Sequence, residues 1–177
     1  PYYDKSATTP LAGVVFKLRP NLSLYASYVE GLSRGETAPM SAAIANPGEV
    51  MPPYRSKQKE IGAKFDLGGF LATVGLFELT KPSAAVSGNV FGVNGEQRNR
   101  GLEASVAGEV ARGLRLLGGA SFMDAELSKS ATAALVGKRA IGVPRSQLNL
   151  GAEWDAGFAP GLTLTGRMVH TAKTYAD

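Results

Sequence analysis

The chain of 177 residues carries one histidine, His170, and no cysteine. A histidine-based triad or a multi-histidine metal site therefore has nothing further to recruit, and disulfides and thiolate metal sites are impossible. His170 reads as a polar residue at a strand end, with Lys173 and Tyr175 just beyond it in the next long loop. The charged residues Glu60, Lys64, Asp66, Glu103, Glu109, Glu153 and Arg167 are spread along the chain, and no carboxylate pair has a spacing that demands acid–base work. They suit a solvated wall with cross-strand ion pairs, each contributing about 0–1 kcal/mol. Arg98, Asn99, Arg100 and Gly101 stand where a long connection enters a strand, and Arg145 and Gln147 stand at an equivalent height. Arginine there suits an anionic chelate or a lipid phosphate, and equally the bracing of a loop. Gly137-Lys138-Arg139 lacks the rest of a phosphate-binding loop, and the run from Val90 to Gly95 is a flexible connection rather than a dinucleotide fingerprint.

The elements that must position these groups are strands. From Glu60 to Leu67, Ile61, Ala63, Phe65 and Leu67 fall on one face and Glu60, Gly62, Lys64 and Asp66 on the other. Strict alternation marks a strand between two different surroundings. Gly68-Gly69 suits a two-residue hairpin turn needing positive φ, and the chain returns from Phe70 to Thr80. Lys81-Pro82 is expected to end that strand, since proline cannot donate to the ladder.

The same pattern predicts strands over 11–18, 21–30, 97–111, 114–127, 143–155 and 162–170. Leu116-Leu117-Gly118-Gly119 blurs the phase of one of them. Short turns fall at 19–21, 68–69, 112–113 and 156–161; long connections fall at 31–53, 81–96 and 128–142. The first of these, proline-rich and aperiodic, reads as a functional loop. The second is Gly/Asn/Val-rich, with room for a short strand near 86–93.

Apolar residues make up 44% and charged residues 19%, which excludes a disordered chain. No run of about 18 apolar residues marks a membrane helix, a test that spanning strands escape. The net charge of +4, without a Lys/Arg cluster interleaved with aromatics, does not describe a nucleic-acid footprint. Pro1-Tyr2-Tyr3 opens the chain without a start methionine or a basic leader, so a piece of a longer protein is expected.

Strands of roughly ten residues, with short turns at one rim and long loops at the other, are the layout of an outer-membrane barrel. Trp154 beside one short turn, and Phe65, Leu67 and Phe70 around another, suit an interfacial aromatic girdle and equally an ordinary core. A soluble β-sheet domain would bury the same apolar faces against a second sheet.

Several phrases carry a family likeness: TPLAGVVFKL and LSLYASYVEGLSRGETAP (9–18, 22–39), SKQKEIGAKFDLGGFLATVGLFELTKP (56–82), QRNRGLEASVAGEVARGLRLLGGASFMDAEL (97–127) and VPRSQLNLGAEW (143–154). In this order and spacing the chain resembles the C-terminal part of the barrel of TonB-dependent siderophore receptors. The resemblance implies an all-β antiparallel up-and-down meander of about eight strands, part of a 22-stranded transmembrane barrel closed by an N-terminal plug. It implies residues 1–177 as a partial barrel, with the plug, the first barrel strands and the last strands absent. It further implies a bacterial outer-membrane receptor, not an enzyme, that binds a ferric siderophore as transported ligand and imports it with energy from the TonB complex acting through the plug. No directly bound cofactor is implied; outer-membrane lipid is an expected partner and nucleic acid is not. The polar faces would then meet the plug, and ligand contact would fall to Tyr54, Phe91, Arg98, Arg100 and Arg145. A passive porin-type barrel segment and a soluble β-sheet binding domain are the competing readings.

Overall fold

The structure, a computed structural model, describes residues 8–174. Tyr175 and the start of the polar N-terminal stretch lie outside the described residues. Eight strands follow one another: β1 (Leu11–Arg19), β2 (Leu22–Ser33), β3 (Tyr54–Asp66), β4 (Phe70–Ser87), β5 (Val90–Ala111), β6 (Leu114–Lys129), β7 (Ser146–Asp155) and β8 (Thr163–Thr171). They form one sheet in sequence order, each strand antiparallel to the next. No second layer of secondary structure packs on it among the described residues.

The register confirms the alternation over most of β2 to β7, with Val29 and Leu117 among the exceptions; at the sheet edges Val15 of β1 and Val169 of β8 fall on the polar-face rows. One row runs Val14, Ala26, Ile61, Leu76, Leu102, Phe122. The row two residues nearer the short turns runs Phe16, Leu24, Ala63, Val74, Ala104, Ala120, Leu148. The opposite face carries Ser23, Lys64, Thr73, Ser105, Gly119 and Asn149 in one row, and Tyr25, Gly62, Gly75, Glu103, Ser121 and Gln147 in the next. All seven dispersed charged residues named above lie on this polar face. The apolar face is uncovered: Ile61 is 59% exposed, Leu76 54% and Phe122 57%. A sheet that leaves such side chains bare lacks its second solvent, and hydrocarbon supplies it.

Three expectations are corrected at the turns. Only Gly68 of the Gly68-Gly69 pair takes positive φ, at 83°. Gly69 serves a close approach instead, its carbonyl accepting from the Glu109 amide at 2.9 Å. β4 does not stop at Lys81-Pro82 but runs to Ser87. Its ladder with β3 ends at Thr80, so beyond it β4 has a partner on one side only, where a missing N–H is tolerated. The supposed long connection over 81–96 is therefore a two-stranded ribbon, closed by a tight turn at Gly88 and Asn89 and kinked by a register shift between Ser83 and Ala85. Gly88-Asn89 is a hairpin dipeptide set between valines, a signal the composition of the stretch obscured.

Glycines inside the strands make room for aromatic rings on the polar face. A Cβ on Gly62 would come within 2.6 Å of Tyr25 ring carbons, and one on Gly75 within 2.7 Å of the Tyr25 hydroxyl. Tyr25 thus lies across both glycines and donates its hydroxyl to Glu60, with the Lys64 ammonium 5.1 Å from its ring centre. Phe77 lies over Gly101 in the same way, 2.7 Å from where a Cβ would stand. Replacing Gly62 by Val in the full-length protein is expected to cost about 1–3 kcal/mol by overpacking. The measurement is the unfolding temperature in detergent; an unchanged value would mean that the Tyr25 ring moves aside freely.

Candidate functional site

At the short-turn rim the polar face is tied by ion pairs. Arg115 reaches Asp155 through two nitrogens at 2.7 and 2.9 Å and Glu153 at 3.1 Å. Thr163 adds a hydrogen bond to Asp155 at 2.8 Å. This clamp staples β6, β7 and β8 beside their turns. Its groups are exposed, so it sets local geometry more than stability.

The long-loop rim is where residues gather that are distant in sequence. Of the aperiodic connection expected over 31–53, residues 31–33 continue β2, and 34–53 fold on themselves and onto the β4–β5 ribbon. The Ala38 amide donates to the Glu49 carbonyl at 2.8 Å and the Met51 amide to the Glu36 carbonyl at 2.9 Å, pinching the loop shut. Asn46 then grips the ribbon: its side-chain amide donates to the Phe91 carbonyl at 2.8 Å, and its oxygen accepts from the Phe91 amide at 2.9 Å. The Ala45 amide donates to the Asn89 carbonyl at 2.6 Å. Under these bonds sits a small core of Ala38, Ile44, Met51, Tyr54 and Phe91.

That core decides where two of the expected contact residues lie. Tyr54 is 3% exposed and Phe91 7%, so their rings pack inside the loop assembly. Arg98 and Arg100 share the face of Leu102 and so stand on the apolar side of the sheet, above its band. Arg98 pairs with Glu126, and Arg100 with Glu78 at 2.5 Å. Arg145 is exposed, and its carbonyl accepts from the Met123 amide at 2.8 Å, continuing the ladder on the polar-face register. The five candidates therefore separate into a buried pair, an apolar-side pair and one residue on the polar side.

The remaining loop, 130–145, is also docked. The Gly137 and Ala140 amides donate to the Leu127 and Ala125 carbonyls, each at 2.8 Å, so Gly137-Lys138-Arg139 lies alongside β6. At the base of the ribbon the Ser128 hydroxyl donates to Glu96 at 2.8 Å and Lys129 reaches it at 3.1 Å. The Ser128 hydroxyl, with Lys129 beside it, holds the Glu96 carboxyl below its ordinary range against the opposing effect of partial burial. Sequence reasoning missed Asn46 altogether; its only signal was an amide side chain in a loop, which any turn would also use.

A single meander with a bare apolar face, a polar opposite face, short turns at one rim and folded loops at the other is a segment of the wall of an outer-membrane β-barrel. The family model described as TonB dependent receptor-like, beta-barrel matches residues 1–177, and the chain belongs to that family. It is 41% identical over 179 residues to the ferrichrome receptor FcuA of Yersinia enterocolitica, covering 98% of this chain and 24% of that protein. It is 33% identical over 139 residues to the ferric-pyoverdine M114 receptor PbuA of a Pseudomonas strain, covering 73% of this chain and 16% of that protein. Among solved structures, the ferric preacinetobactin receptor BauA of Acinetobacter baumannii superposes with a TM-score of 0.79 at 44% identity, covering 99% of this chain and 27% of that one. The chain thus spans about a quarter of the length of FcuA and BauA. The competing soluble-domain reading falls with the family and with the uncovered face. The apolar face is the outer, lipid-facing wall, the polar face lines the lumen, and the long-loop rim is extracellular.

Replacing Asn46 by Ala should release the 34–53 loop from the ribbon, leaving the Phe91 amide and carbonyl without their partner at a cost of about 1–3 kcal/mol. Hydrogen exchange of the full-length protein would show faster exchange at the Phe91 and Ala45 amides while β2 and β3 stay protected. Equal protection at those two amides would mean the apolar core alone holds the loop.

Proposed function

We propose that this chain is part of the barrel of a receptor that binds a ferric siderophore at its extracellular mouth and imports it with energy delivered through TonB. The observation that carries the reading is the match of the whole chain to the family, together with 41% identity to a ferrichrome receptor and 44% to a ferric preacinetobactin receptor. In this reading the chain supplies a lumen wall and part of the mouth, while a plug and further barrel strands lie elsewhere in the protein. Glu60, Lys64, Glu103 and Arg167 form the polar wall against which that plug packs.

Ligand contact in this reading falls first to Arg145, which is exposed on the lumen side of the extracellular rim. A guanidinium there offers forked donors to the oxygens of an anionic chelate. Tyr54 and Phe91 act at one remove, by holding the 34–53 loop in shape. Arg98 and Arg100 face away from the lumen and serve the outer wall.

The test is iron-limited growth and uptake of labelled ferric siderophores by cells whose only siderophore receptor is the full-length protein. Ferrichrome and preacinetobactin are the first ligands to try. Uptake should saturate, vanish when TonB is deleted, and weaken about five- to tenfold in apparent affinity in R145A. Uptake that persists without TonB would support a passive porin-type barrel and overturn the proposal.

A further inference from the structure

The connection from β6 to β7 is the basic part of the mouth. Residues 128–145 hold Lys129, Lys138, Arg139 and Arg145 and no carboxylate. Two of these cations are engaged. Lys129 reaches Glu96, and Arg139 donates to the Val143 carbonyl at 3.2 Å and stands opposite Glu126 on the outer face. The other two stand on the lumen face. The Leu127 amide donates to the Lys138 carbonyl at 2.8 Å, which sets Lys138 opposite Leu127 and in the row of Gln97. Arg145 stands opposite Met123, two rows lower on the same face. The Ala172 amide donates to the Ser146 carbonyl at 2.9 Å, so Lys173 follows beside Arg145 on the face of Thr171. All three are exposed.

No carboxylate stands next to them on the described lumen face. Asp124 and Glu126 alternate onto the outer face. Glu36 and Glu49 belong to the 34–53 loop, which docks on the ribbon. Glu103 lies one row below Arg145 and two strands away, about 12 Å between Cα positions. Glu60 is farther still, on β3, and accepts from Tyr25. Lys138, Arg145 and Lys173 take part in none of the ion pairs found among the described residues. Four residues of β6 separate the level of Lys138 from that of Arg145, about 13 Å, and neighbouring strands lie about 5 Å apart. Three long cationic side chains thus bracket a space the size of one small chelate.

We propose that Lys138, Arg145 and Lys173 form one ligand subsite on the lumen side of the mouth, and that its ligand is a ferric chelate of net negative charge. Each hydroxamate gives up a single proton to bind iron, so a ferric trihydroxamate is neutral. A catecholate gives up two, and a citrate keeps carboxylates beyond those that neutralise the metal, so their ferric complexes stay anionic. Against an anionic complex the guanidinium fork and the two ammonium groups donate to charged outer oxygens. Against a neutral one they would lose hydration for little return. The inference rests on the receptor reading above and adds to it the charge class of the cargo.

The experiment uses the full-length receptor in mild detergent, titrated with ferric enterobactin and ferric dicitrate, both anionic, and with ferrichrome, which is neutral. An anionic chelate is expected to bind about tenfold more tightly than ferrichrome or better, with an affinity that falls as salt is raised. K138Q/K173Q should bind that chelate about tenfold more weakly. K138R/K173R, which keeps both charges, should bind it as the parent does, and the unfolding temperature should hold in both variants. Ferrichrome binding more tightly than either anionic chelate would overturn the charge class and leave the receptor reading standing. Equal affinity of K138Q/K173Q and the parent for the anionic chelate would overturn the subsite. Binding of none of the three would overturn the inference as well, while TonB-dependent uptake decides the receptor reading separately.

Discussion

Hydrocarbon gives no hydrogen bonds, so every backbone group in this sheet has to find its partner in the neighbouring strand. That constraint explains the regularity of the lower half of the molecule. Between β2 and β3 the ladder runs twelve consecutive pairs without a shift, and between β3 and β4 it runs ten. Register irregularities fall toward the two rims: at Lys17/Arg19 and Glu109/Ala111 by the short turns, and at Ser83/Ala85 and Glu96/Gln97 where the β4–β5 ribbon leaves the sheet. The backbone is free to break its pattern only where water or loop groups can take over the bonds.

Once the ladder is fixed, the two faces solve different problems. The outer face meets a liquid that conforms to any shape, so Ile61, Leu76, Leu102 and Phe122 need no partners and have few. The lumen wall must accommodate large rings on a surface whose polar groups also need partners. Setting Tyr25 across Gly62 and Gly75, and Phe77 over Gly101, lets the rings lie flat on the backbone. The Tyr25 hydroxyl is thereby delivered to Glu60. Many glycines of this chain serve such close approaches rather than turns, which is why they fall inside alternating stretches.

The same division explains what could be read from the sequence. The membrane-level strands were legible because two solvents impose period-two alternation on most positions, Leu117 being an exception; Glu60 to Leu67 is enough to assign both faces. The aqueous rim was not. No alternation marks 34–53, because that loop buries Ala38, Ile44 and Met51 at irregular spacing around Tyr54 and Phe91. An aromatic residue in a loop reads equally as ligand contact or as core, and only the fold reveals that these two rings are covered. Arg98 and Arg100 illustrate the complementary limit. Their parity with Leu102 already places them on the apolar side, yet their nearness to a loop suggested the mouth. Parity follows from strand geometry, whereas nearness is only a correlation, and the structure sides with parity.

Above the membrane the chain loses the lipid that stabilises its lower half and has to build its own interior. It does so with the ordinary means of a soluble protein: a small apolar cluster, a pinched loop, and the paired hydrogen bonds between Asn46 and the Phe91 backbone. The β4–β5 ribbon is central to this, because beyond Thr80 it has no neighbour on the β3 side. An unsupported two-stranded ribbon is marginal in water. The 34–53 loop supports this one along part of its length, so loop and ribbon stabilise each other. A rearrangement of either at the extracellular mouth would have to carry the other with it, which makes Asn46 a point of coupling between two segments far apart in the chain.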